Sequence, residues 1–280
     1  MKQRRMSPQR MSAFRAYLKS EERSDATIEK YMRDLHAFSV YMGDAEVTKQ
    51  AVVTYKNEIG KTYAATSANS MIAALNSFLR YSGWQDLCVK RFRVQRQAYC
   101  SEEKELTKAE YFRLVQVARK KGNERLHLIL QTICSTGIRV SELPYITVDA
   151  VQKGEALVNC KGKNRRIFIV PELRKKLTRY AKALRIRSGS IFVTRSGRPV
   201  CRSTIWREMK GLCKQADVLP DKVFPHNLRH LFARTFYGIE RDIAKLADIL
   251  GHASINTTRV YIITTGTEHR RKMEQMKLII

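Results

Sequence analysis

The sequence lacks the features that mark a metalloprotein, a disulfide redox protein or a membrane protein. Its 280 residues include six cysteines, none of which forms a CxxC pair with another, so neither a zinc site nor a thioredoxin-like motif is predicted. Scattered cysteines in a chain of this length indicate a reducing compartment. No apolar run approaches the length of a membrane span, and no apolar stretch follows the basic first ten residues as in a signal peptide. We therefore predict a cytoplasmic protein without membrane association.

Acidic residues are also scarce. The chain has 26 Asp and Glu against 53 Lys and Arg, a net charge of +27, and the excess is present both in the first hundred residues and in the remainder. A surface this positive binds polyanions and releases their counterions, which favours DNA, with anionic membranes and ribosomal RNA as rival partners. Solubility alone explains the charge poorly, because unbalanced charge destabilises the compact state.

The first ninety residues show helical periodicity and no strand pattern. Apolar residues recur at the three- and four-residue spacing of amphipathic helices in four segments, each bounded by a capping residue or a glycine. The first segment starts at Pro8 with Ser7 as its cap, and the second runs from Thr27 to Met42 and stops at Gly43. The third starts at Thr48 and ends at Gly60, and the fourth spans Ala65–Tyr81. We expect a four-helix bundle over residues 1–88.

A basic stretch without periodicity separates this bundle from a second unit. We interpret residues 89–104 as an inter-domain linker whose cations are available to phosphates, and residues 105–280 as the second domain. Thr107 and Glu110 have the spacing of a capping box at its start. A helix is predicted from Leu126 to Thr136, ending at Gly137. A β-hairpin is predicted over 156–170 with its turn at 161–164, then a helix from Pro171, a short strand over 191–194, and helices thereafter. The fold class is mainly α with a small β-sheet, a helical bundle followed by an α+β domain.

Four short polar segments in the second domain are candidates for chemistry. Each also has an ordinary structural explanation. Arg139 and Glu142 could form a local ion pair at a helix start, and His226 with Arg229 could lie on a solvated helix face. His252 follows a helix that stops at Gly251, and an isolated tyrosine such as Tyr261 is most often a core residue with a bonded hydroxyl.

Taken together, these segments resemble the tyrosine recombinase, or phage integrase, family. The matching stretches are TGIRVSEL at 136–143, HNLRH at 226–230, LGHASINTT at 250–258, and Tyr261 nine residues after His252. The hairpin CKGKNRR at 160–166 matches more loosely. The resemblance covers the second domain throughout, whereas the first resembles the family's core-binding (SAM-like) domain in size, position and helical character only.

The resemblance implies a site-specific recombinase that cleaves and rejoins DNA. Tyr261 would attack the scissile phosphate and form a 3′-phosphotyrosine, which conserves the bond energy, so no ATP, metal or other cofactor is required. Arg139 and Arg229 would bind the non-bridging phosphate oxygens. Lys161 would protonate the leaving 5′-oxygen, with Lys163 as a competitor for that role.

The remaining site residues have supporting roles in this interpretation. His226 would assist proton transfer and contact the phosphate, His252 would hydrogen-bond the phosphate, and Glu142 would orient the site. The family resemblance further implies double-stranded DNA as the partner. It also implies a homotetramer on two DNA sites, in which an apolar C-terminal segment is exchanged between protomers. With few residues before Pro8, we expect no arm-binding domain, as in compact recombinases of mobile elements and of chromosome-dimer resolution.

Two alternatives remain open from the sequence. A nonenzymatic DNA-binding protein would explain the charge but not the Tyr261 constellation. A monomeric type IB topoisomerase-like enzyme would use the same nucleophile, but the two-domain organisation and the apolar C-terminus favour a recombinase.

Overall fold

The computed structural model describes residues 4–94, 104–160, 163–261 and 273–276, with the backbone alone at 160 and 163. The chain folds into two compact units, Met1–Arg96 and Gln97–Ile280. The division falls inside the segment interpreted as a linker. Of the predicted residues, Lys161 and the C-terminal exchange segment, apart from 273–276, lie outside the described part of the chain.

The N-terminal unit is a bundle of four helices, α1 Pro8–Ser20, α2 Asp25–Met42, α3 Lys49–Thr62 and α4 Ala65–Tyr81. Two predicted caps are present: the Ser7 hydroxyl accepts from the Arg10 N–H at 3.2 Å, and that of Thr48 from the Ala51 N–H at 3.2 Å. The helices enclose a core that includes Phe14, Leu35, Phe38, Ile72 and Phe78. The predicted four-helix bundle is confirmed.

The third helix does not end at Gly60 as predicted but continues to Thr62. Gly60 allows Phe92 to pack closely against α3 and does not end the helix. A Cβ atom at this position would lie 2.5 Å from the Cζ atom of Phe92, so only glycine leaves room for that ring.

The second unit is mainly helical, and a capping box between Thr107 and Glu110 starts its first helix as predicted. A 3-10 helix, Val140–Tyr145, lies between α6 and α7. The α-helices are α5 Lys108–Lys120, α6 Glu124–Thr136, α7 Val148–Lys153, α8 Pro171–Ala183, α9 Arg202–Lys210, α10 Cys213–Ala216, α11 Pro225–Glu240, α12 Ile243–Leu250 and α13 Ile255–Arg259.

The predicted hairpin is present as the antiparallel strands β1 Glu155–Cys160 and β2 Lys163–Phe168. Glu155 pairs with Phe168, and Val158 with Arg165. Lys163 and Asn164, which the prediction placed in the turn, pair with Cys160 and Asn159 as part of the ladder. Since side chains alternate between the two faces of a strand, Arg165 points to the same side as the buried Ile167.

The strand predicted at 191–194 is wrong. Ile191 and Phe192 are buried, but this stretch pairs only through isolated bridges, from Ser190 to Thr147 and from Val193 to Pro199. The apolar run therefore reflects burial of an irregular segment, which periodicity cannot distinguish from a short strand. Among the described helices, none has both the length and the hydropathy that a bilayer crossing requires.

Candidate active site

The end of α6 directs Arg139 into the site. Gly137 adopts a left-handed conformation with φ +63°, and a Cβ atom there would lie 2.5 Å from a ring carbon of Phe232, so glycine is required twice over. Arg139 then begins the 3-10 helix. Its backbone N–H donates to Glu142 Oε2 at 2.9 Å, and its Nη1 pairs with Glu142 Oε1 at 2.9 Å. The predicted pairing of these two residues is present.

Glu142 is shared by two arginines. Its carboxylate, 2% exposed, also forms an ion pair with Arg165, whose Nη1 donates to the carbonyl of Ile249 at 2.9 Å. Although burial raises the pKa of Glu142, the hydrogen bond from the Arg139 backbone and the charges of Arg165 and Arg139 outweigh it and lower that pKa. Arg165 thus links strand β2 to Glu142 and to the end of α12. It also fills the space beside Gly251 that a larger residue would need.

Arg229 on α11 is the most deeply buried cation of the site, 1% exposed. Its guanidinium donates to the carbonyls of Gly137 and Leu250, the second at 2.6 Å, and contacts His252 Nε2 at 3.0 Å. Its Nε has no hydrogen-bond partner among the described residues, and no described carboxylate pairs with it. Burial, followed by the charge of Arg139, lowers its pKa to about 10, so it remains a cation at neutral pH.

The contacts of His252 indicate which tautomer it adopts. A guanidinium can only donate, so Nε2 must accept from Arg229, and Nδ1 then carries the proton and donates to Thr258 Oγ1 at 2.8 Å. Burial and the Arg229 and Arg139 charges lower the pKa of His252 to about 4, in agreement with a neutral ring. Both nitrogens are therefore engaged within the protein, and the predicted bond from His252 to phosphate stays a prediction.

Tyr261 lies directly after α13, beside these groups. Its hydroxyl is 3.1 Å from Nε2 of His226, and its ring centroid is 5.9 Å from Cζ of Arg229. The Tyr261 side chain is only 6% exposed, but His226 faces solvent. Partial desolvation by the surrounding protein, followed by the charges of Arg229 and Arg139, lowers the pKa of His226. At neutral pH its ring is therefore available to accept a proton.

A second histidine, His230, stacks on the phenol ring of Tyr261. His230 stacks on Tyr261 with a centroid distance of 4.2 Å and an interplanar angle of 17°, and it meets His226 edge to face at 4.9 Å. Burial, together with the charges of His226 and Arg229, lowers its pKa to about 4. It is thus a neutral aromatic support for Tyr261 and His226 at physiological pH.

The structure brings five of the six predicted catalytic residues together: Arg139, His226, Arg229, His252 and Tyr261. Glu142 is the carboxylate that pairs with Arg139, and no carboxylate among the described residues pairs with the buried Arg229. Oriented guanidinium donors of this kind suit a phosphate group with a phenol beside it. The sequence interpretation assigned no role to Arg165, His230 or Thr258. Strand alternation could have pointed to Arg165, and the four-residue helical spacing from His226 could have pointed to His230.

Comparison with known families agrees with this geometry. Residues 104–267 match the phage integrase family, and residues 11–86 match the phage integrase N-terminal SAM-like domain. The chain belongs to the phage integrase family. This membership confirms the predicted family, fold class and enzyme class, a tyrosine recombinase that breaks and rejoins DNA strands.

Relatives of this integrase-family chain match it over nearly its whole length. Tyrosine recombinase XerA of Pyrococcus furiosus is 27% identical, with 100% of this chain and 98% of the relative covered. Tyrosine recombinase XerC of Lacticaseibacillus casei is 30% identical, with 95% and 97% covered. The crystal structure of XerA recombinase superposes with a TM-score of 0.55 at 26% identity, covering 97% and 99%. A lambda integrase dimer bound to a COC′ core site shares the fold, with a TM-score of 0.75 at 19% identity, covering 91% and 94%.

We expect Arg165→Ala to slow DNA cleavage about 10- to 100-fold and to add an acid limb to its pH profile. Without Arg165, burial still raises the pKa of Glu142 while one of the two cations that lower it is gone. The carboxylate would then protonate at a higher pH than in the parent and release Arg139, so the cleavage rate should fall toward acid pH sooner than in the parent. The measurement is the rate of covalent adduct formation at saturating DNA between pH 5 and 8. Arg166→Ala is the matched control, since this exposed neighbour points to the opposite face and is 3.8 Å from Glu155. Identical profiles for both variants would contradict the role of Arg165.

His230 gives a prediction for stability. The folded protein keeps His230 neutral down to about pH 4, whereas an unfolded chain protonates it near pH 6.5, so unfolding takes up a proton between these values. The free energy of unfolding should therefore fall as the pH is lowered through this window. The variant His230→Phe retains a stacking ring but has no titrating group. Between pH 7 and pH 4.5, we expect its free energy of unfolding to fall by about 2 to 3 kcal/mol less than that of the parent.

This difference is measurable by urea unfolding at pH 7 and pH 4.5. Each unit holds one tryptophan, Trp84 or Trp206, so Trp206 fluorescence in a Trp84→Phe background reports on the unit of His230 alone. Parallel loss of stability in parent and variant would show that His230 is not the titrating group.

Proposed function

We propose that this chain is a site-specific DNA recombinase that exchanges strands through a 3′-phosphotyrosine at Tyr261. The observation that carries the proposal is the environment of Arg229. A buried guanidinium is costly without a counterion, and here its hydrogen bonds go to two carbonyls and a neutral imidazole. A DNA phosphate would supply the missing negative charge, within reach of the Tyr261 hydroxyl.

The proposed cleavage step conserves bonds and protons. The Tyr261 oxygen bonds to the scissile phosphorus as its proton passes to Nε2 of His226, 3.1 Å away. The bond from phosphorus to the 5′-oxygen breaks, and Lys161 protonates that oxygen. Attack by the 5′-hydroxyl of a partner strand on the phosphotyrosine reverses the sequence and joins the new strand. Lys161 and its competitor Lys163 are assigned here on the family resemblance.

Two arginines stabilise the transition state in this proposal. Arg139, its side chain 37% exposed, is the more accessible and binds one non-bridging oxygen while Glu142 fixes its orientation. Arg229 binds from the interior, through the Nε donor that has no partner in the described part of the chain. To donate to a phosphate oxygen, Nε2 of His252 must carry the proton. In this proposal the ring therefore changes tautomer, gives up its contact with Arg229 and accepts at Nδ1 from the Thr258 hydroxyl.

The proposed partner is double-stranded DNA, and the proposed assembly is a homotetramer on two DNA sites with C-terminal segments exchanged between protomers. A lambda integrase tetramer bound to a Holliday junction has the same fold, with a TM-score of 0.73 at 19% identity. The net charge of +27 agrees with DNA as the partner. Action in the cytoplasm, and a task in mobile-element movement or chromosome-dimer resolution, belong to the same proposal.

The proposal is tested with a library of nicked duplexes of randomised sequence. A nick near the cleavage point lets the short leaving strand diffuse away, so cleavage becomes irreversible and the enzyme stays attached to DNA. Adducts recovered under denaturing conditions are sequenced for the DNA site and digested to map the modified residue. Attachment at Tyr261 to a shared sequence is expected; an absence of adducts would overturn the enzymatic proposal. Strand exchange between two labelled duplexes of that sequence then separates a recombinase from a topoisomerase-like enzyme, which would only relax or nick one duplex.

A further inference from the structure

Residues 88–94 follow the 3-10 helix Gln85–Leu87 as an extended segment, here called the basic arm. The first of its attachments is Asn76, a buried residue of α4. The Asn76 amide nitrogen donates to the carbonyl of Val89 at 2.8 Å, and the Val89 N–H donates to the Asn76 side-chain oxygen at 3.0 Å. One side chain thus satisfies both backbone groups of Val89, as a neighbouring strand would.

Asn69 repeats the same arrangement two helical turns earlier. Its amide nitrogen donates to the carbonyl of Phe92 at 2.9 Å, and the Phe92 N–H donates to its side-chain oxygen at 2.7 Å. Seven residues of helix and three residues of extended chain both span about 10 Å, so the two asparagines match the arm in register. Asn69 and Asn76 therefore hold the arm antiparallel to α4.

Side chains of α3 fix the arm from a second direction. The Lys49 ammonium donates to the carbonyls of Asp86 and Cys88, at 3.1 and 2.5 Å. The ring of Phe92 lies over Gly60, where a Cβ atom would collide with it, and the Lys56 ammonium sits 4.8 Å from the centre of that ring. These contacts fix the backbone of the arm, which a flexible linker would leave unattached.

The arm presents its charge outward. Lys90, Arg91 and Arg93 are exposed, whereas Val89 is buried and Phe92 partly so. No ion pair or hydrogen bond joins these three cationic side chains to any residue that the structure describes. Three cations without a partner in the described part of the chain are thus displayed on a backbone that four side chains, Asn69, Asn76, Lys49 and Lys56, hold in place.

We propose that the basic arm is a preorganised phosphate-binding element of the N-terminal unit, which contacts the DNA backbone through Lys90, Arg91 and Arg93. Its partner is the duplex of the proposed function, on which this inference rests. A fixed arm has already lost the backbone freedom that a flexible linker would lose on binding, so its cations bind phosphates at lower entropic cost. Asn69 and Asn76 are positioning residues in this proposal and do not contact DNA.

The cationic contacts are tested through the salt dependence of binding to a fluorescent duplex of arbitrary sequence, because phosphate contacts require no specific site. Replacing Lys90, Arg91 and Arg93 with Gln should weaken binding at least about tenfold and reduce the slope of log K against log salt by about 2 to 3. The control replaces Lys19, Arg23 and Arg33, three exposed cations of the same unit, with Gln. A smaller effect of the control supports the arm, whereas equal losses would show that net charge alone is responsible and would overturn it.

Preorganisation is tested with the double variant Asn69→Ala and Asn76→Ala, which leaves the charge unchanged. Trypsin cleaves after lysine and arginine, so cutting at residues 90, 91 and 93 reports directly on the order of the arm. We expect cleavage there at least about ten times faster, with weaker DNA binding at an unchanged salt slope. Asn57→Ala, an exposed asparagine on α3, is the control and should match the parent. Parental cleavage rates, or faster cleavage with parental affinity, would overturn preorganisation.

The test is separable from that of the proposed function. At DNA concentrations that saturate each variant, adduct formation through Tyr261 should proceed at the parental rate, because no arm residue belongs to the candidate active site. A parent that forms no adduct would overturn the recombinase proposal, whereas an unchanged salt slope in the Lys90, Arg91 and Arg93 variant would overturn the arm alone.

Discussion

Replacing Tyr261 with phenylalanine is expected to abolish the covalent protein–DNA adduct, lowering its rate of formation by more than about 10⁴-fold. The substitution removes one oxygen atom and one hydrogen bond, the 3.1 Å contact with His226. The ring that stacks on His230 remains, and the site should keep its shape. Because general affinity for DNA rests on many cations elsewhere, duplex binding should change by less than about threefold.

The experiment uses the nicked substrate identified from the library, with adducts separated by denaturing electrophoresis. Tyr237→Phe is the matched control, since Tyr237 is a partly buried tyrosine packed against the same apolar cluster as Tyr261. It should form adducts at the parental rate. Persistent adducts in the Tyr261 variant would place the nucleophile elsewhere, and equal loss in both variants would indicate disturbed packing instead of lost chemistry.

The sequence predicted the helical elements well where caps and glycines mark them. Ser7, Thr48 and the Thr107–Glu110 pair start helices as expected, and Gly137 and Gly251 end them in left-handed conformations. Gly60 misled because a glycine that permits close packing looks the same in sequence as a glycine that ends a helix. Its packing partner, Phe92, is 32 residues away in the chain.

The site was predictable as a set of residues but not as a network. The family motifs identify Arg139, Arg229 and Tyr261 by spacing, yet no motif shows that Arg165 shares the carboxylate of Glu142. That pairing depends on the register of a hairpin against a 3-10 helix, which is a tertiary property. Local patterns likewise could not show that Nε2 of His252 accepts from Arg229, a contact that determines its tautomer.

The conservative substitution Arg229→Lys is expected to reduce the cleavage rate about 10³-fold although it preserves the charge. A lysine ammonium offers a point charge on a flexible stem, whereas the guanidinium is a planar fork that reaches three acceptors in fixed directions: Gly137 O, Leu250 O and His252 Nε2. Loss of one aligned donor to a developing oxyanion costs about 10²- to 10³-fold, and here the alignment of His252 is lost as well.

Adduct formation is measured at saturating DNA, with duplex affinity determined in parallel and expected to stay within about threefold. Arg259 is an exposed arginine at the end of α13, and Arg259→Lys is the matched control, which should form adducts at the parental rate. A rate near that of the parent would mean that charge alone is needed at this position, and that the fork of Arg229 serves packing only. A large loss of cleavage rate with retained binding would instead mean that the carbonyls at the ends of α6 and α12 orient the Arg229 guanidinium toward the scissile phosphate. The backbone of two helices would then be part of the catalytic geometry, through a single side chain.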